Sequence, residues 1–279
     1  ISTLFPYTTL FRSAVFTDPH EIANVLGLAG VKLMRDEGRG LPLRVYLTVP
    51  SCVPAAPGLE DAGAVLGPEE IREALAWDGC AGLGEMMNFP GVLAGDPGVI
   101  EEIRAAHRAG KAATGHYAMP VVDRGLSAYA EAGINSCHES TRAEDALAKM
   151  RLGMYAMMRE GSAWRDLHAV LPALAGIDPR LALLVSDDTH PRTLMELGHL
   201  DHILRRAVAE GVDPLVALQM VTINTAACFG LAGELGSISP GKCADFLLLD
   251  GDLRGFRPGE VFVHGRLVAR TGALLVDLP

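Results

Sequence analysis

Short apolar runs and amphipathic stretches alternate along this chain. The runs fall at 14–17, 43–49, 80–83, 112–115, 132–135, 152–158 and 181–185, and their length and continuity suit strands buried on both faces. Between them lie segments such as DPHEIANVLGLAGVKLMRDEG, GPEEIREALAWDG and DPGVIEEIRAAHRAG, with apolar residues near a 3.6-residue period and Asp, Pro or Glu in the first turn. Strand then helix, seven times over, predicts a mostly parallel sheet with helical crossovers. Further helical segments cover 192–210 and 213–229, after which the texture changes: GSISPGKCADFLLLD and EVFVHGRLVARTG read as short strands of a small β unit.

Size and composition bound what such a chain can be. With 279 residues, 49% of them hydrophobic, it can bury one large core plus a small appendage. The formal charge of −10, with no basic stripe, argues against nucleic acid or an anionic membrane as partner. Five cysteines, none in C-x-x-C spacing, predict free thiols in a reducing compartment, hence a cytoplasmic protein. No apolar run approaches the roughly 20 residues needed to span a bilayer. Residues 1–13, ISTLFPYTTLFRS, carry no cap or turn logic leading into AVFTDPHE and read as a non-native leader. The organisation expected is therefore leader 1–13, barrel 14–229 and β-strand segment 230–279. Seven strand-helix units are one short of a (β/α)8 TIM-type barrel, and the missing unit would precede Ala14, so the expectation is a barrel lacking its first strand.

Lone metal-type ligands follow several apolar runs: Glu85 in GLGEMMN, His116 in AATGHY, His138 in GINSCHES and Asp187 in LALLVSDD. Alternating strands and helices put strand C-terminal ends on one face, so these residues should converge there. Carboxylate with imidazole suits zinc, manganese or iron. Alone, His116 or His138 would read as a core histidine bonded to a carbonyl; at successive strand ends they read as ligands. Asp187 and Asp188 are adjacent and leave a strand on opposite faces, so only one points inward. Asp18 and His20 either line the pocket or serve turn and cap. His199 and His202 share a helix face but read as packing and ion pairing, His107 and His168 as surface residues, and Met86, Met87, Met157 and Met158 as core filler. Ser51, Cys52 and Ser162 lack partners at a spacing that would make a triad.

TDPHEIANVLGLAG, VPSCVPA, GLGEMMNFPGVLAGD, the GH of 115–116, HES, MREGSAW, VSDDTHP, GHLDHILRRAVAEGVDPLVALQMVTINTAACFGL and GSISPGKCADFLLLD together resemble the bacterial adenine deaminases of the amidohydrolase superfamily, from about Val15 to Leu267. The resemblance implies a distorted (β/α)8 barrel with part of a small β-sandwich, a binuclear divalent-metal centre (manganese first, iron or zinc as alternatives), and hydrolysis of adenine to hypoxanthine and ammonia. It also implies a homo-oligomer at full length, a H-x-H-x-E segment on the first strand and a further C-terminal domain; the segment and that domain are not in this sequence. Relatives commonly read S-D-H-E where this chain has Ser136, Cys137, His138 and Glu139, so His138 and Glu139 match and Cys137 does not.

The resemblance selects Asp187 as both ligand and base. Two metals bridged by Glu85 would bring the acidity of a bound water near neutrality, Asp187 would take the proton, and Glu139 is the candidate acid for the ring nitrogen and the departing ammonia. Arg159, Ser162 and His190 are candidate purine contacts. The alternatives are another amidohydrolase acting on a cyclic amide or imidazolone, and an inactive fragment lacking the H-x-H ligands.

Overall fold

The computed structural model describes residues 13–120 and 122–278. Apart from Ser13, the leader read from the sequence lies outside the described residues. Among these, the parallel strands are β1 (Ala14–Thr17), β2 (Arg44–Val49), β3 (Cys80–Met86), β4 (Ala112–Gly115), β5 (Ser136–Cys137), β6 (Tyr155–Arg159) and β7 (Ala182–Val185). They pair in the orders β1-β2-β3-β4 and β5-β6-β7. Asn135 joins the two groups: its N–H donates to Ala113 O at 2.9 Å and its carbonyl accepts from Tyr155 N–H at 2.8 Å. The result is a curled arc of parallel strands with helical crossovers, a TIM-type α/β domain.

Local chemistry sets the crossovers. Asp96, Asp123 and Asp213 each cap a helix by accepting two backbone N–H groups of its first turn, and Pro97 and Pro214 follow at the first helical position. Three expected helices are each divided in two. The segment 18–38 splits into His20–Leu26 and Leu28–Gly38, 192–210 into Pro191–Glu196 and Leu200–Ala209, and 213–229 into Pro214–Met220 and Ile223–Cys228.

Two strands also shift from their expected places. Instead of 132–135, the strand is Ser136–Cys137, because the helix Arg124–Glu131 is capped at Ala132 and Gly133 takes φ 97°, a conformation that suits glycine. Ile134 then turns into the core, and only after it does pairing begin. Likewise the run 152–158 starts with the cap of the helix Ala143–Arg151 at Leu152, and β6 begins at Tyr155.

One core, including Leu83, Met86, Ile103, Tyr129 and Ile134, lies under the first strands; a second, including Met158, Leu184, Leu204 and Met220, lies under the last. Asn224 stitches the second to the helices, its Nδ2 donating to Pro179 O and Ala182 O at 3.0 Å each. The closing segment forms an antiparallel sheet of β8 (Phe246–Asp250), β9 (Arg257–Val263), β10 (Arg266–Arg270) and β11 (Ala273–Leu274) in the order β11-β10-β9-β8. Arg44 at the start of β2 anchors it, with Nε 2.5 Å from buried Asp245 Oδ2 and Nη2 2.9 Å from His264 Nδ1. Among the described residues no helix is long and apolar enough to cross a membrane.

Glu102, on the helix Pro97–Arg108, is only 7% exposed. Burial, with the charge of Asp96 adding to it, pushes its carboxyl up to about 8 from an ordinary 4.5. The folded state therefore keeps a proton that the unfolded chain gives up, and stability should fall as pH rises between those two values and level off above them. Urea unfolding of Glu102→Gln should lose that decline. An unchanged pH slope in the variant would remove Glu102 as its source.

Candidate metal centre

Glu85 is the penultimate residue of β3, and the chain clears space around it. Its backbone N–H donates to Asp18 Oδ2 at 2.8 Å, just beyond the end of β1. That approach needs the preceding glycine, since a Cβ on Gly84 would stand 2.2 Å from the same oxygen. Ser51, after β2, donates its hydroxyl to Glu85 O at 2.7 Å. Tyr129, fully buried, donates to Met86 O at 2.7 Å and accepts from His116 N–H at 2.9 Å, bracing the ends of β3 and β4 together.

The side chain of Glu85 meets two imidazoles on one oxygen. Oε2 lies 2.8 Å from His116 Nδ1 and 3.0 Å from His138 Nε2, and those two nitrogens are 3.1 Å apart. The rings meet edge to face with centroids 5.0 Å apart. Burial opposes charge on both partners, yet the two imidazoles hold the Glu85 carboxyl well below the usual carboxylate range, and Glu85 pushes His138 up to about 9. Cys137, next to His138, points elsewhere: its sulfur accepts Tyr117 N–H at 3.2 Å and is buried.

Two more groups adjoin this trio. The ligand atoms of His138, Glu139 and Asp187 lie within 4.8 Å of one another, as do those of Asp18, His20 and Glu85. The structure thus brings Glu85, His116, His138, Glu139 and Asp187 to one place. Asp187 follows β7 with φ 53°, a left-handed conformation rare for a residue with a side chain, and its Oδ1 accepts Asp188 N–H at 2.7 Å.

Arg159, at the end of β6 and 3% exposed, is ringed by carboxylates. Its guanidinium contacts Glu139, lies 2.8 Å from Asp166 and 2.8 Å from Asp187, and packs 5.0 Å from the Trp164 ring. Burial opposes its charge, and the three carboxylates more than restore it, so the guanidinium is held above its ordinary value. Ser162 is spent on the loop after β7, donating to Thr193 Oγ1 and accepting His190 N–H, each at 2.8 Å, while His190 is exposed. A cavity of about 780 Å³ opens beside the carboxylates. Asp18, His20, Glu85, His138 and Asp187 face it, and its walls include Phe16, Leu183, Leu204 and Phe229; Arg159, Ser162 and His190 do not line it.

Sequence reasoning left Asp18 and His20 between pocket and cap. They line the cavity, and no side-chain bond caps the helix that His20 begins. The signal was TDPHE itself, two polar ligand types directly after an apolar run. Tyr129 and the buried Lys149, whose Nζ donates to Ser140 Oγ at 3.0 Å beside His138, were missed, because a lysine or tyrosine on an amphipathic helix carries no mark of an inward role.

The chain belongs to the amidohydrolase family, whose model matches residues 7–268. Among curated proteins it is 63% identical over 269 residues to an adenine deaminase of Moorella thermoacetica, covering 96% of this chain and 45% of that protein. It is 54% identical to an adenine deaminase of Clostridium botulinum strain Loch Maree (95% and 44% covered) and 51% to adenine deaminase 3 of Rhizobium meliloti (96% and 45%). The chain thus spans about 45% of the length of these relatives. Solved structures agree on the fold: N-isopropylammelide isopropylaminohydrolase from Burkholderia multivorans superposes with TM-score 0.64 at 20% identity, covering 98% of this chain and 75% of that one. A beta-aspartyl dipeptidase from Fervidobacterium islandicum gives 0.65 at 16%, covering 97% and 77%.

Removing the guanidinium should be costly, because it leaves Glu139, Asp166 and Asp187 together without their cation. Arg159→Met should lower the unfolding free energy by about 3–5 kcal/mol in urea titrations at neutral pH. A loss under about 1 kcal/mol would show that the carboxylates do not depend on Arg159.

Proposed function

We propose that this chain supports metal-dependent hydrolytic deamination of adenine to hypoxanthine and ammonia. The observation that carries the reading is the Glu85 carboxylate set between His116 Nδ1 and His138 Nε2, in a chain 63% identical to an adenine deaminase. Three ligand atoms 2.8–3.1 Å apart fit one divalent cation better than three groups competing for shared protons. We take the cation to be manganese, with iron or zinc as alternatives. When bound, it supplies Lewis-acid activation of water at neutral pH.

The chain's own residues handle the protons. In the overall change, the oxygen of water bonds to the purine carbon bearing the amino group, the bond from that carbon to nitrogen breaks, and water's two protons end on the adjacent ring nitrogen and on the leaving ammonia. Asp187 takes the first proton from water, and Glu139 delivers one to the ring nitrogen. Arg159 bonds both carboxylates and so fixes their separation; its role in this reading is to orient Asp187 and Glu139. None of the three residues first considered for the purine edge, Arg159, Ser162 and His190, lines the cavity, so the purine contacts fall to other residues of its wall. The apolar walls of the cavity exclude bulk water around a flat heterocycle.

Manganese-loaded protein should release ammonia from adenine, followed by the ultraviolet change from adenine to hypoxanthine, and should leave adenosine untouched. Asp187→Asn should lower kcat by about 10²- to 10⁴-fold. Faster ammonia release from adenosine or from a cyclic amide would overturn the assignment.

A further inference from the structure

Beside Asp187 the cavity wall carries Leu183, Leu194, Leu200 and Leu204 together with a hydrogen-bonded pair, Ser186 and His199. Ser186 follows β7 directly, and its Oγ lies 3.0 Å from His199 Nε2. The backbone that carries the imidazole is itself braced. His199 N–H donates to Asp201 Oδ1 at 2.8 Å, and Asp201 Oδ2 accepts from Arg205 Nη1 at 2.7 Å. The same guanidinium donates to Leu197 O at 3.1 Å and to Phe256 O at 3.2 Å, which ties the turn before His199 to the closing sheet segment. Gly198 admits the carboxylate: its φ is 103°, and a Cβ there would stand 2.7 Å from the Asp201 oxygens. His199 is 6% exposed and Asp201 3%. Burying such groups costs free energy that leucines in their place would not, and the bracing serves to fix one imidazole at the cavity wall.

We propose that the Ser186 hydroxyl donates a hydrogen bond to a ring nitrogen of the bound base, and that His199 is the positioning residue that aims it. The inference rests on the reading of the cavity as a purine site and deepens it. A hydroxyl has one proton and two lone pairs. In the tautomer with its proton on Nε2, His199 donates to Ser186 Oγ and occupies a lone pair, so the hydroxyl proton is left for a ligand. Most ring nitrogens of adenine present a lone pair, which is the matching acceptor. Asp187 works at the carbon bearing the amino group, so its chain neighbour Ser186 meets the same end of the base. Glu139 serves the ring nitrogen that gains a proton; Ser186 therefore serves another. Aliphatic walls accept any flat ring of suitable size, whereas a site built to bond a ring nitrogen rejects a ring with C–H in its place. The pair thus supplies selectivity that the leucines around it cannot.

Binding without turnover separates this proposal from the one beneath it. The full chain, stripped of metal with chelator, is titrated calorimetrically with adenine and with the deaza-adenines, in which one ring nitrogen at a time is replaced by C–H. Ser186→Ala should weaken adenine binding by about 10-fold. One deaza-adenine should bind the wild type about 10-fold more weakly than adenine does and should bind Ser186→Ala no more weakly than the wild type, because the bond is already gone. His199→Leu should lose the same preference, and adding it to Ser186→Ala should cost little more. Equal adenine binding by wild type and Ser186→Ala would overturn the proposal and leave the deamination reading intact. A loss in Ser186→Ala that is the same for adenine and every deaza-adenine would also overturn it, by making the hydroxyl a structural group. A wild type that binds no adenine would overturn both readings. Should Ser186→Ala fail to fold, Ser186→Cys, whose thiol is a weak donor, decides by the same comparison.

Discussion

A single desolvated carboxylate organises this molecule. Glu85 sits at the end of a strand that is inside its sheet, with β2 on one side and β4 on the other. Its neighbours arrive from other strand ends: Asp18 after β1, Ser51 after β2, His116 after β4 and His138 after β5. A buried carboxylate without compensation would take up a proton rather than stay charged. Here the surrounding imidazoles reverse that preference. The parallel arc is what makes this possible, since only successive strands running the same way deliver their termini to one spot.

Two buried cations hold the frame by different means. Lys149, 1% exposed, reaches from the helix Ala143–Arg151 to Glu139 O at 2.5 Å, Ser140 Oγ at 3.0 Å and Tyr117 O at 3.5 Å. Its three donors are thus directed at the loops after β4 and β5, beside His116 and His138. Arg159 instead uses its planar fork on side-chain carboxylates, gathering Glu139, Asp166 and Asp187 from three segments. Lysine positions backbone and arginine positions side chains, and the carboxylate and imidazole groups of the site lie between the two.

The strand-helix alternation was legible because buried parallel strands leave continuous apolar runs, and β1 through β4 and β7 fall on theirs with small shifts. β5 was displaced because Ile134 serves the core although it precedes the paired residues, so hydrophobicity alone cannot separate a turn residue from a strand residue. Glu85, His116 and His138 were legible through their placement after such runs. The partners of Arg159 were not: a guanidinium that binds carboxylates and one that binds a purine look the same in one dimension, and only the side chains of Glu139, Asp166 and Asp187 in space distinguish them. The role of Gly84 was hidden for a related reason, because the oxygen it admits comes from a residue 66 positions earlier.

The charge balance of the cavity gives the site its direction. Asp18, Glu85 and Asp187 face a space whose walls are largely aliphatic and aromatic, where unbalanced negative charge is poorly solvated. Arg159 answers Asp187 and the two carboxylates behind it, leaving Asp18 and Glu85 to the histidines. Protonation can answer part of that charge: burial raises Asp18, and the Asp18 carboxylate beside it pushes His20 up to about 9. A divalent cation would meet the same need with one particle and would release those protons on binding. Because these ligand-type side chains come from β3 and from the segments after β1, β4 and β5, a cation bound among them would act on several strand ends at once and would link occupancy of the site to the integrity of the arc.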